Sequence, residues 1–73
     1  MASVEVESEV TGNVWKVLAA EGASVSEGDV IMILESMKME IPVEAPVSGT
    51  LSAVKVQEED QVEEDQVLAI IES

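Results

Sequence analysis

Lys38 stands between Met37 and Met39, with Glu35 and Glu40 just outside them, and it is one of three lysines set against sixteen carboxylates. A primary amine held where solvent reaches it from most directions suits acylation or another covalent modification. Flanking methionines are flexible and polarizable, a combination that serves adaptable recognition surfaces. Other chemistry is largely excluded. The chain has no His, Cys, Arg, Tyr or Phe, so it can build neither a Ser-His-Asp triad nor a Cys-His pair nor an ordinary zinc site. Its carboxylates alone support only limited acid–base work, so no catalytic residue is expected. A net charge of −13 repels phosphate backbones and anionic lipid surfaces, which removes nucleic acids and membranes as partners. Six of the eight residues from Glu58 to Asp65 are acidic. They lack the alternating ligand spacing and central glycine of a calcium loop, so no metal site is expected there.

The elements that must position Lys38 emerge when the sequence is compared with itself. At an offset of 37, residues 3–36 align with residues 40–73 without a gap, and twelve of the 34 positions are identical. The shared residues include Val6/Val43, Gly12/Gly49, Val25/Val62, Val30/Val67 and Ile33/Ile70. Only Met37, Lys38 and Met39 lie between the copies. Each copy reads as four short strands: an alternating start at Val4 and Val6 or Ile41 and Val43, a run from Gly12 or Gly49, an apolar point at Val25 or Val62, and a run from Val30 or Val67. Thirteen Val and five Ile make β-branched residues the main apolar stock, and no window carries a helical stripe free of turn residues.

Eight strands in 73 residues predict an all-β fold, a flattened β-barrel or sandwich of two four-stranded antiparallel sheets related by a pseudo-twofold axis. One domain spans residues 1–73, with internal repeats 3–36 and 40–73. That symmetry predicts Met37-Lys38-Met39 as a tight hairpin tip at one end of the molecule and both termini at the other. The tip lacks the Asn-Gly or Asp-Gly that tight hairpins favour. On spacing and symmetry alone two readings stand together: a solvated turn capped by methionines, or a modification site. Trp15 aligns with Ser52, so no symmetric core position demands it, and it is expected either to pack partly on a sheet face or to touch a partner. Lys16 and Lys55 are expected to be solvated. In the second copy Glu59 replaces Gly22 and Asp65 replaces Gly28, and these turns are expected to have changed type or loosened.

The segment Glu35-Ser36-Met37-Lys38-Met39-Glu40 resembles the attachment motif of the biotin carboxyl carrier domains, written (A/S)-M-K-M, within the biotinyl/lipoyl attachment family. The resemblance covers essentially the whole chain, including the Gly12 strand, Glu21-Gly22, Glu27-Gly28-Asp29, Ala45-Pro46…Gly49 and Val67-Leu68. The lipoyl branch of the family typically has Asp before its lysine and Ala after it, so Met37 and Met39 favour biotin. The gapless repeat leaves no room for the "thumb" insertion that some biotin carriers have.

The resemblance implies covalent biotin on Lys38, attached by a biotin protein ligase, with Met37 and Met39 as flanking recognition residues. Glu35 and Glu40 would help a ligase or carboxylase recognise the tip. The tethered biotin would then shuttle a carboxyl group between a biotin carboxylase and a carboxyltransferase. The alternatives are a lipoyl carrier modified at the same lysine and an unmodified interaction module. The acidic, alternating N-terminus shows neither a signal peptide nor a stretch of transmembrane length, so the chain is expected to be cytoplasmic, and monomeric as an isolated domain.

Overall fold

Alternation of apolar and polar residues sends every second side chain to the same face of a strand, and eight such strands form here. A computed structural model describes residues 2–73. The strands are β1 (Ser3–Glu7), β2 (Gly12–Val17), β3 (Ser24–Val25), β4 (Val30–Ser36), β5 (Met39–Glu44), β6 (Gly49–Val54), β7 (Gln61–Val62) and β8 (Val67–Glu72). Two four-stranded sheets result, in the orders β1-β8-β6-β3 and β5-β4-β2-β7, and every pairing is antiparallel. The predicted all-β sandwich is the observed architecture. Each sheet takes two strands from residues 3–36 and two from residues 40–73, so neither half of the chain forms a sheet of its own.

The core sits between the sheets and follows the same symmetry. Val6/Val43, Val14/Leu51, Val25/Val62, Ile31/Leu68, Met32/Ala69 and Leu34/Ile71 are all buried. The register shift between Val14 and Lys16 on β2 is matched by one between Leu51 and Ala53 on β6. Where the core takes a polar residue, Ser8, its hydroxyl donates to the Val10 carbonyl at 2.6 Å, so burial leaves it satisfied. The position aligned with Ser8 is the buried Ala45.

The acidic turns correct one expectation. Glu59 and Asp65 have not changed type: their φ angles are 76° and 70°, in the same left-handed region as Gly22 and Gly28 at 91°. The reason lies in the hydrogen bonds these turns make. The Glu59 N–H donates to the Val14 carbonyl at 2.7 Å, as the Gly22 N–H donates to the Leu51 carbonyl at 2.7 Å. The Asp65 N–H donates to the Ser8 carbonyl at 2.7 Å, as the Gly28 N–H donates to the Ala45 carbonyl at 2.9 Å. Losing one of these bonds from a partly buried backbone costs about 1–3 kcal/mol, which matches or exceeds the strain of about 1–2 kcal/mol for a side chain at positive φ. The turns therefore keep their geometry and accept the strain.

Candidate functional site

β4 and β5 form one hairpin, and Met37 and Lys38 are the two residues between its closing pair, Ser36 opposite Met39. Met37 has φ 52° and Lys38 has φ 65°. Two successive residues at positive φ are the signature of the type I′ turn, whose twist matches that of the strands it joins. Neither residue suits that conformation. The turn exists because the register of β4 on β5 leaves only two residues to cross between them. Lys38 is thereby held at the apex of the hairpin, exposed to solvent. Met37 is 91% exposed and Met39 64% exposed, large apolar surfaces with no core to join.

Two contacts brace the base of this tip, and sequence reasoning did not single out the first of them. The Ser36 hydroxyl donates to the Thr11 carbonyl at 2.8 Å, tying the end of β4 to the loop that enters β2. A Cβ added to Gly12 would collide with the Glu35 carbonyl oxygen and sit 3.2 Å from the Ser36 Cβ. Glycine at position 12 is what lets β2 lie this close to β4. Gly49 has the same relation to the Glu72 carbonyl at the far end of the molecule. There Ala2 and Ser73 exchange backbone hydrogen bonds of 3.3 and 2.9 Å, so the chain ends meet opposite the hairpin as expected.

Glu35 and Glu40 face each other directly across β4 and β5. Like charges at such a pair destabilise a sheet. The aligned residues at the far end are Glu72 and Ser3, and there the Ser3 hydroxyl donates to the Glu72 carboxylate at 2.9 Å. The hairpin end thus replaces a hydrogen-bonded pair by a repulsive one, and the fold itself gains nothing from that replacement.

Lys38 lines neither of two surface cavities formed by the described residues. A groove of about 600 Å³ between the edge strands β1 and β5 is walled by Glu5, Glu7, Glu27 and Pro42 among others. A smaller hollow of about 420 Å³ lies around Thr11, Asn13 and Gln61. Exposed at the apex of the hairpin, the Lys38 amine can present a covalently held group to a site elsewhere. The described residues include no group of three or more His, Cys, Asp or Glu arranged to hold a metal ion. No helix is long and apolar enough to cross a membrane. Lys16 and Lys55 are both exposed, and the Lys16 Nζ lies 5.3 Å from the centroid of the Trp15 ring.

Comparison with known proteins agrees with this geometry. The profile of the biotin/lipoyl family described as "Biotin-requiring enzyme" matches residues 1–71. The chain belongs to this family. It is 42% identical over 67 residues to a protein of Mycobacterium leprae named "Biotinylated protein TB7.3 homolog", covering 92% of this chain and 94% of that one. It is 46% identical over 63 residues to the "Biotin/lipoyl attachment protein" of Bacillus subtilis, covering 86% of each. Among solved structures, the urea carboxylase of Kluyveromyces lactis superposes with a TM-score of 0.91 at 37% identity; the match takes in 97% of this chain and 6% of that enzyme. This member of the biotin-requiring family is a biotin carrier, of the size of the small relatives and equivalent to one segment of the large carboxylase. Biotin is its cofactor, and the site just described fits such a group: an exposed amine on a braced two-residue turn, with nothing of the fold in its way.

Proposed function

We propose that residues 1–73 form a single biotinyl domain and that Lys38 is its attachment residue. Position carries the reading: Lys38 is at the apex of the β4–β5 hairpin, in a two-residue turn, at one end of a molecule 36 Å long. The Lys38 amine attacks the acyl carbon of a biotinyl-adenylate held by a biotin protein ligase. The Lys38 ammonium first gives one proton to solvent; as the amide forms, the bond from acyl carbon to phosphate oxygen breaks, AMP leaves with that electron pair, and the nitrogen gives a second proton to water. The domain loses one positive charge and becomes more acidic.

When bound, biotin accepts and gives up a carboxyl group at a ureido nitrogen. This chain's own residues hold the attachment point away from the sheets and offer a surface to partners. Tethering raises the effective concentration of the group at both places where it must react. We assign those places to a biotin carboxylase and a carboxyltransferase, as separate proteins or as parts of one, and the compartment to the cytoplasm. The domain itself makes and breaks no bond of the carboxyl transfer. Met37 and Met39 supply apolar contact beside the lysine, and Glu35 and Glu40 a negative rim that favours basic partner surfaces.

The test is intact-mass spectrometry after incubation with a biotin protein ligase, ATP and biotin. The wild type should gain a single biotinyl group and Lys38→Ala none, despite the lysines left at positions 16 and 55. No gain in a folded wild-type sample overturns the assignment.

A further inference from the structure

The outer face of the β5-β4-β2-β7 sheet carries a feature that neither the fold nor the lysine accounts for. Trp15 lies on β2 at the register shift between Val14 and Lys16, and it is 44% exposed. Bulges of this kind re-aim a side chain, often beside a functional site. Lys16 is paired with Ile33 on β4, and Ile33 with Pro42 on β5. These residues form a row across three strands of the sheet that bears the hairpin. The next row toward the tip is Asn13, Glu35 and Glu40. At the equivalent place on the other sheet, Trp15 is replaced by Ser52, whose hydroxyl donates to the Ile70 carbonyl at 3.2 Å. The same backbone thus exists without an aromatic residue, so packing does not require Trp15.

Size decides what covers this face. To be acylated, the Lys38 side chain must itself enter the ligase active site, so the ligase closes around the bare tip. A specific interface takes about 800 Å² from each partner. The molecule is only 19 × 18 Å across, so a footprint of that size takes in the flanks of the hairpin as well as its apex. Three strand residues, Leu34, Glu35 and Ser36, lie between Ile33 and the turn, four residue steps or roughly 13 Å, which falls within such a footprint. Tryptophan is also among the residues most enriched where binding energy concentrates. A partner that already faces the attached cofactor has less need of this contact, because the arm spans part of the distance.

We propose that the ligase acylating Lys38 docks along the outer face of the β5-β4-β2-β7 sheet, seating Trp15 in an apolar slot beside a basic rim that meets Glu35 and Glu40. This rests on Lys38 being the biotin attachment residue. The partner is thus an enzyme surface whose apolar slot is set back from its acylation site by the roughly 13 Å of strand between Ile33 and the turn plus the reach of the Lys38 side chain.

Two measurements test it. In Trp15→Ser, the residue found at the sister position, biotinylation by the ligase should lose at least about 10-fold in kcat/KM, almost all of it through KM. A thermal melt and an amide spectrum check that this variant is folded. Adding Ser52→Trp to it should not restore the rate. In the ¹⁵N-labelled wild type, the single indole N–H resonance should shift or broaden when unlabelled ligase is added. An unmoved indole signal, a wild-type KM for Trp15→Ser, or rescue from position 52 each overturns the docking face while leaving Lys38 as the attachment residue. A defect confined to later carboxylation of the attached biotin also overturns it. A wild type that takes no biotin overturns both readings together.

Discussion

The pairing of Glu35 with Glu40 shows a single position working against the stability of its own strand pair. The two residues are directly paired across β4 and β5, where the far end of the molecule has a Ser3–Glu72 hydrogen bond of 2.9 Å. Glu40→Ser would rebuild that bond at the hairpin. Cross-strand pairs of this kind differ by about 0.2–1 kcal/mol. In a domain of this length 1 kcal/mol moves the melting midpoint by about 4–8 °C, so Glu40→Ser should raise it by about 1–8 °C at low salt. Calorimetry checks the direction, and an unchanged or lower midpoint would mean that the two carboxylates turn away from each other in solution. If Glu40 serves the ligase, the same variant should be acylated more slowly at low ionic strength, and the difference should shrink as salt is added.

At the scale of the element, turns proved harder to read than strands. The strand runs were legible because alternation and β-branching report burial directly, and the gapless repeat located the hairpin and its lysine before any coordinates. Glu59 and Asp65 were misread because the preference for glycine at positive φ is a local rule. The hydrogen bonds that override it are accepted by the Val14 and Ser8 carbonyls, 45 and 57 residues earlier in the chain. The brace from Ser36 to Thr11 was illegible for the same reason: its partners are 25 residues apart, and no spacing rule joins them. Backbone strain at these turns makes an ordered prediction. Glu59→Gly should stabilise the domain by about 0.5–1.5 kcal/mol, since glycine removes a cost of about 1–2 kcal/mol but adds flexibility to the unfolded chain. Asp65→Gly should stabilise it less, because Asp tolerates this region better than Glu does. Both substitutions remove one negative charge, so the difference between them reports backbone strain. Urea denaturation of the two variants beside the wild type gives that difference, and equal effects would assign the whole gain to charge.

At the scale of the whole molecule, charge and dimensions combine. Sixteen carboxylates and three lysines occupy a body measuring 36 × 19 × 18 Å. At 0.01 M ionic strength the screening length is about 30 Å, so nearly every charge feels every other; at 1 M it falls to about 3 Å, shorter than most separations between neighbouring surface charges. Folding brings these carboxylates closer together than in the expanded chain, and this self-repulsion opposes the small core. The domain should therefore melt at a higher temperature as sodium chloride rises from 0.01 to 0.5 M, by several degrees, with most of the gain below about 0.15 M, where the screening length has already dropped to about 8 Å. Biotinylation removes one of the three positive charges, so the modified domain should show the steeper salt response. Melting curves of the two forms across a salt series check both statements. A flat response would mean that the unfolded chain repels itself as strongly as the folded one, and that the acidity is carried for partners at no cost to the fold.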